Sequence, residues 1–403
     1  MQTDVLILNT LVADFRSSDF EYTRALTCPG GMVKCRNVDM PNYSQQQLKK
    51  WIQQGFVTVG GPGNVAPLIA KAGLRVAIGG NLGKGDYDGL DAQGRFIFDM
   101  MAEYNVDLSG IRVHPELATG TTFICEKSTK ERAGIAYFPN ANDEFDFECF
   151  KDVVVSLNPK IVYYMYSGIS EKGDANEGKD LAEFIKWCRN KGIITIADSV
   201  TLVGNPQKLI HSGTPVTEYK LLIPLLPEVD LFFTSSDEAK MIVNTLGAPR
   251  NWSDFTQDEN NHHVLNFLTS QFWRKENRPR IFGVTVNNGV YEKHNNPNGA
   301  SHGPNRVESR FMCDDVVDLV GAGDAFRTGL ICYIAKNISE FKTGMINYVE
   351  AIQMGNLFAA LYIKAPLQNR YCNLKSYPKM YELLQNSSKN ITFRESAKMK
   401  PSN

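Results

Sequence analysis

The chain is poor in the features that would assign it to a specialised class. Its eight cysteines, Cys28, Cys35, Cys125, Cys149, Cys188, Cys313, Cys332 and Cys372, form no CxxC pair and no metal-ligand spacing. That speaks against a disulfide framework or a zinc site and for reduced thiols in a cytoplasmic protein. No apolar run approaches the roughly 18–20 residues of a membrane span. Neither sign of charge dominates: 43 Lys and Arg stand against 44 Asp and Glu in 403 residues, a net charge of −1. No bulk field draws the protein to nucleic acid or a membrane surface, so any anionic ligand must be held by a local site. There is no internal repeat. A GxxxxGK[ST] loop is absent too, because Gly83-Lys84 is followed by Gly85 and lacks the upstream glycine. The opening MQTDVLILNTLVADF has an early acid and a short apolar run, so it reads as a first buried strand rather than a signal peptide. The N-x-S/T tripeptides at Asn42, Asn251, Asn337, Asn386 and Asn390 are then incidental.

What remains is an ordinary globular composition, 43% hydrophobic and 22% charged. Short β-rich runs alternate with helical patterns, which predicts a largely parallel α/β sheet. The strand candidates are Val5–Leu8, Val57–Val59, Arg75–Ile78, Ile161–Met165, Ile193–Ala197, Leu231–Thr234 and Ile281–Val286. Helical stretches are Val65–Ala72, Ala92–Tyr104, Asp180–Lys191, Asp237–Leu246 and His263–Trp273. Thr119–Glu126 and Gly134–Phe138 follow one another without a helix and predict a β-hairpin. With Arg112–His114 and part of 15–50, that hairpin would form a small β-rich lid. The polar stretches Gln257–His263 and His294–Arg306 read as surface loops. The expected division is an α/β core over 1–14, 55–110 and 140–385, insertion and lid segments over 15–54 and 111–139, and a polar tail over 386–403.

Near the C-terminal end the chain reads VVDLVGAGDAFRTGL. A strand-like run that breaks into Gly-Ala-Gly before a helix leaves backbone N–H groups free at a helix N-terminus. Two of those residues are glycines, which permit close approach, so the turn can cradle an anion. Asp324 would repel a phosphate there, unless its task is to take a proton from an attacking hydroxyl. A plain helix-terminal carboxylate, worth under about 1 kcal/mol, fits the turn alone at least as well. The pattern is not GxGxxG, because Phe326 occupies the third glycine position.

The whole segment resembles the D-T-x-G-A-G-D signature of the ribokinase-like (PfkB) family of carbohydrate and nucleoside kinases. The resemblance implies a three-layer α/β/α fold with a central, mostly parallel sheet and a small β-rich lid. It makes Asp324 the catalytic base and the amides of Gly321, Ala322 and Gly323 the anion hole. Arg327, one turn further, could neutralise a phosphate or simply face solvent. A second match runs from Gly60 to Gly89 in VTVGGPGNVAPLIAKAGLRVAIGGNLGKGDYDG. There the resemblance places Gly60, Gly61 and Asn64 against a small polyol, with Asp14 as the early substrate aspartate. Read alone, Asp14 could be a turn residue and Asn64 a helix N-cap. The same stretch satisfies a looser G-x-G-x-x-A pattern at Gly61, Gly63 and Ala66, with acids at Asp86 and Asp88, so a Rossmann oxidoreductase is the alternative. About half a hundred residues precede it, which fits a first βαβ unit poorly.

Further segments are similar to the family's. Asn140, Ala141 and Asn142 stand at a substrate loop, with Asn142 expected to touch the substrate. Asp198 stands at a strand end. Ser235 and Glu238 fall on the N-x-x-E motif, with Ser in place of Asn, and Glu238 is expected to reach Mg²⁺. Thr285 and Gly289 fall on a nucleotide loop that is one residue short and has Asn287 for its first glycine. Asn356 flanks the adenine. These residues, with Arg327, make up the expected ATP side. Leu319, Ser235 and Asn287 depart from the family pattern, all on that side. The resemblance spans roughly residues 4 to 370 and implies transfer of the γ-phosphoryl group of ATP, with Mg²⁺, to a hydroxyl of a sugar or related polyol. A nucleoside acceptor, or a kinase fold kept for binding alone, remain alternatives. Phe15, Phe20, Tyr22, Phe123, Tyr137 and Phe138 could form a slot for a base or serve as packing. NYSQQQLKKWIQQGF is expected to add a helix that shapes the acceptor pocket or a homodimer contact through the lid.

Overall fold

The computed structural model describes residues 2–16, 31–37, 43–128, 131–200, 202–273 and 278–387. Phe20, Tyr22 and the polar tail beyond residue 387 lie outside them. Among the described residues the strands are β1 (Val5–Leu8), β2 (Val12–Arg16), β3 (Met32–Arg36), β4 (Val57–Gly60), β5 (Val76–Gly83), β6 (Asp107–His114) and β7 (Gly120–Ser128). They continue with β8 (Glu131–Phe138), β9 (Ile161–Ser167), β10 (Ile194–Ser199), β11 (Leu231–Ser235), β12 (Arg280–Val286), β13 (Gly289–Asn295) and β14 (Ser301–Glu308). Nine build the main sheet in the order β14-β13-β12-β11-β10-β9-β1-β5-β6. Its pairings are parallel from β6 across to β12, and β13 and β14 close it antiparallel.

The apolar runs explain the layers. In β1, Val5 and Ile7 enter one hydrophobic cluster while Leu6 and Leu8 enter the other. Side chains alternate between the faces of a strand, so an unbroken apolar run coats both faces, as a parallel strand covered by helices requires. On one face pack the helices Pro62–Lys71, Ala92–Glu103, Ala322–Lys336 and Tyr348–Ile363. On the other lie Phe147–Leu157, Lys179–Asn190, Ser236–Thr245 and Gln257–Phe272. Each fully buried Leu, Ile, Val or Phe adds about 1.5–3 kcal/mol.

The remaining five strands make a lid sheet in the order β3-β8-β7-β2-β4. The chain enters it directly from β1, turning at Asn9 (φ 75) and Thr10 (φ 48). Asn9 Nδ2 holds that turn by donating to the Tyr164 hydroxyl at 3.0 Å. Alternation along β2 then decides the geometry. Ala13 and Phe15 face the apolar cluster, where Phe15 stacks on Phe123 at 5.0 Å and meets Trp51 at 6.0 Å. Asp14 takes the opposite face. Trp51 belongs to the expected extra helix, Gln45–Gln53, which starts at Ser44, whose side chain accepts from the Gln47 amide at 3.1 Å. That helix covers the back of the lid sheet.

Four expectations are corrected. Val57–Val59 belongs to the lid sheet, antiparallel to β2, and Arg112–His114 belongs to the main sheet's edge. Gln257–His263 is helical, because Thr256 and Glu259 form a capping box ahead of it. His294–Arg306 is the end of β13, a five-residue turn and most of β14 rather than a loose loop.

Candidate active site

Between the lid sheet and the carboxyl ends of β1 and β9 lies a cavity of about 410 Å³. Its polar end is formed by Thr10, Asp14, Gly61, Asn64, Tyr166 and Asp324. Asp14 sits in β2, not in a turn, and only 8% of it is exposed. Burial pushes its carboxyl up to about 7, against the pull of Arg16 and with the push of Asp324 and Asp318. Gly60 and Gly61 allow this close packing. A Cβ on Gly60 would lie 2.5 Å from the Asp14 Oδ2, and one on Gly61 (φ 56) would lie 2.1 Å from the Thr10 carbonyl oxygen. Gly61 is the N-cap of the Pro62–Lys71 helix, so Asn64 lies inside the helix and is not its cap. Asn142 lines the cavity, but its amide is engaged with the backbone of Leu11, accepting from N–H and donating to C=O, each at 2.9 Å.

Asp324 lies in the first turn of the Ala322–Lys336 helix and is 5% exposed. Its Oδ2 accepts from Asn64 Nδ2 at 3.0 Å and from the Tyr166 hydroxyl at 2.8 Å. Its Oδ1 accepts from Arg327 at 2.6 Å. The Tyr362 hydroxyl donates to Asn64 Oδ1 at 2.8 Å, which fixes the amide with its NH₂ toward Asp324. Gly321, at φ 79, begins the helix, and a Cβ there would lie 2.9 Å from the Tyr362 hydroxyl. The Ala322 amide is spent on the Leu319 carbonyl at 3.1 Å, which corrects its place in the expected anion hole. The amides of Gly323 and Asp324 have no acceptor among the described residues. Two open amides at a helix N-terminus attract an anion.

The turn is anchored from beneath. Asp318 pairs with Arg16 of the lid strand and with Arg370 at 3.2 Å, and its Oδ1 accepts from the Val320 amide at 3.0 Å. All three side chains are under 5% exposed.

The residues expected on the ATP side lie outside the cavity, along the carboxyl edge of the main sheet. Asp198, Ser235 and Thr285 end neighbouring strands, and Ser235 pairs with Thr285 in register. Most of them are tied to the protein. Asp198 holds Arg327 at 2.9 Å, and burial, only partly offset by that guanidinium, pushes its carboxyl up to about 6. Arg327 therefore bridges Asp198 and Asp324; it neither faces solvent nor stands free for a phosphate. Ser235 and Glu238 form a capping box, with Glu238 Oε2 accepting from Thr234 Oγ1, Ser235 N and Ser235 Oγ at 3.0–3.1 Å. Thr285 Oγ1 donates to the Thr234 carbonyl at 3.2 Å, and Asn356 Nδ2 to Gln353 at 3.3 Å. A Cβ on Gly289 would lie 2.3 Å from the Val307 carbonyl oxygen, so this glycine serves the hairpin.

A family model described as "pfkB family carbohydrate kinase" matches residues 36–270, more than half of the chain. The chain belongs to this family. Among solved structures, a fructokinase with bound ATP from Xylella fastidiosa superposes with a TM-score of 0.64 at 20% identity, covering 96% of this chain and 100% of that one. An adenosine kinase from Schistosoma mansoni in complex with 2-fluoroadenosine gives 0.63 at 16%, covering 91% and 97%. A putative ribokinase II from E. coli gives 0.61 at 15%, covering 95% and 99%. No curated protein sequence matches the chain. These likenesses carry the ribokinase-like fold. They also remove the Rossmann alternative, since the glycines 60–63 leave a lid strand and not the first strand of a parallel βαβ unit.

Of the described aromatics proposed for a base slot in this PfkB chain, Phe15, Phe123 and Tyr137 are core and only Phe138 lines the cavity. Sequence reasoning missed Tyr166, Tyr362 and the Arg16–Asp318–Arg370 cluster. Asp318 stood within the quoted signature, and Arg16, two residues from Asp14 on the same strand face, was within reach of a parity argument.

Proposed function

We propose that the protein transfers the γ-phosphoryl group of ATP to a hydroxyl of a small sugar or related polyol. One observation carries this reading. A buried carboxylate with no hydrogen-bond partner among the described residues, Asp14, shares a cavity with a second carboxylate, Asp324, that sits beside two open amides at a helix N-terminus. Acceptor hydroxyls donate to Asp14, and the reacting hydroxyl lies against Asp324. As its oxygen bonds to phosphorus and the bond to the ADP oxygen breaks, its proton passes to the Asp324 carboxylate. The amides of Gly323 and Asp324 receive charge on the transferring phosphoryl group. The nucleotide would lie along the β10–β12 edge. Among the described residues no group of three or more acidic, His or Cys side chains could hold a metal, and Glu238 is occupied as a cap. These residues fit Mg²⁺ carried on the nucleotide phosphates and water rather than an ion caged by protein.

A specific observation favours the nucleoside reading. Besides its polar groups the cavity is lined by Val12, Met32, Ile124, Phe138, Ile169 and Leu202. A bare sugar has nothing to place there, whereas a base joined to a sugar does. The test is phosphoryl transfer from Mg-ATP across sugars, sugar acids, polyols and nucleosides, with Asp324→Asn as control. Turnover on one acceptor, lost in the variant, supports the kinase and selects the acceptor class. Silence across the panel with no ATP binding overturns it in favour of a non-catalytic binding protein.

A further inference from the structure

We propose that the Tyr166 hydroxyl is a positioning donor for the Asp324 carboxylate, built into the end of β9 by a backbone turn that alternation alone would not produce. Its geometry is independent of the kinase reading, and its kinetic consequence rests on that reading. In β9, Ile161, Tyr163 and Met165 face the cluster on the Ala322–Lys336 side, while Val162 and Tyr164 face the opposite cluster. Parity would send Tyr166 after Tyr164. Instead Tyr166 adopts φ 63, and its ring packs on the first side, against Ile169 and the lid's Ala136 and Phe138. A positive φ is an outlier for a bulky aromatic and persists where its surroundings over-determine it.

The surroundings do so here. The Tyr166 amide donates to Asp198 Oδ1 at 2.7 Å, and the pairing of β9 with β10 is irregular between Ala197 and Ser199. Asp198 also holds Arg327, which pairs with Asp324. One buried carboxylate thus fixes two of the three donors on Asp324. The third, Asn64, is set by Tyr362. The titratable groups facing Asp324 from the packed elements are Arg327, Asp198, Tyr163, Tyr166, Asp14 and Tyr362. Of these, Tyr166 alone both lines the cavity and donates to the carboxylate. Burial holds the phenol protonated, so it acts as a donor. In the transfer step Tyr166 keeps its own proton, and the acceptor's proton goes to Asp324. The hydroxyl's task is to orient that carboxylate.

The experiment compares Tyr166→Phe, which removes the hydroxyl and keeps the ring, with Tyr166→Gly, which removes both and relaxes the backbone. Thermal melts check that both fold. The readouts are kcat and KM, and the ¹³C chemical shift of the Asp324 carboxyl, assigned with Asp324→Asn. In Tyr166→Phe, kcat is expected to fall about tenfold with KM within about twofold. The Asp324 carboxyl resonance moves from its wild-type position in both variants, as loss of a hydrogen bond to it requires. Wild-type kcat and carboxyl resonance in Tyr166→Phe, with change only in Tyr166→Gly, would assign the residue to packing and overturn the proposal. If the wild type phosphorylates nothing, the kinase reading fails by itself. The carboxyl resonance then decides this proposal alone: a change in Tyr166→Phe upholds it and no change overturns it.

Discussion

Asp14→Asn should make this protein more stable and less able to bind its acceptor, and the gain in stability should depend on pH. The Asp14 carboxylate is buried without a hydrogen-bond partner among the described residues, and burial pushes it from an ordinary value of 3.8 to about 7. The folded protein therefore holds a proton there between about pH 4 and pH 7 that the unfolded chain has released. Stability linked to this group is greatest below about pH 4, is lost as pH rises through that interval, and stays low above about 7. At about 1.4 kcal/mol per pH unit, the cost of carrying the charge at pH 8 is about 4 kcal/mol. Asn is close in shape and carries no charge to desolvate. An unfolding entropy of roughly 2.1 cal/mol/K per residue gives about 0.85 kcal/mol/K for a chain of this length, so the variant should melt about 5 °C higher at pH 8. At pH 4.5, where wild-type Asp14 is already largely protonated in the fold, the gap should shrink to about 1 °C.

The assay is a pair of thermal melts at each pH, with acceptor binding followed by calorimetry once the panel has identified it. Wild-type affinity should strengthen as pH rises through about 7, because the ionised carboxylate is the better acceptor for hydroxyl donors. Asp14→Asn should bind weakly throughout. An equal melting gap at pH 4.5 and pH 8 would refute the reasoning, since it would mean that Asp14 has the same proton affinity folded and unfolded.

Other perturbations test other parts of the site. Asp324→Asn should lower kcat by roughly a hundred- to ten-thousand-fold, as loss of a general base does, with a melting temperature near wild type. Gly61→Ala forces a side chain into a left-handed backbone and to within 2.1 Å of the Thr10 carbonyl oxygen; it should cost more than about 2 kcal/mol in thermal or denaturant melts and weaken acceptor binding. Asp318→Ala leaves the buried guanidiniums of Arg16 and Arg370 without their shared carboxylate. The expected loss is about 3–5 kcal/mol, read as roughly 4–6 °C in a melt, with a fall in kcat as the Gly321–Asp324 turn loosens.

The fold was legible because its determinants are local and periodic. The apolar runs of β1 and β9 alternate between two clusters, and the glycines that let the chain turn into a helix at Gly321 stand together in one short segment. Errors arose where a short segment serves a partner distant in sequence. Val57–Val59 reads as any buried strand, and only its pairing with β2 puts it in the lid. Arg327 reads as a phosphate ligand one helical turn past the glycines. The sequence does not reveal that Asp198, more than a hundred residues earlier, arrives at 2.9 Å to claim it. Tyr166 shows the limit most sharply. Periodicity assigns its side chain to the wrong face, and no residue type announces a positive φ in a tyrosine. Its amide and hydroxyl are held by Asp198 and Asp324, neither of them near it in sequence. The Asp324 carboxylate and its glycine turn are thus written in one short stretch of sequence. The donors that aim the carboxylate lie on β9 and two helices, Asp198 of β10 holds two of them, and only the folded sheet brings them together.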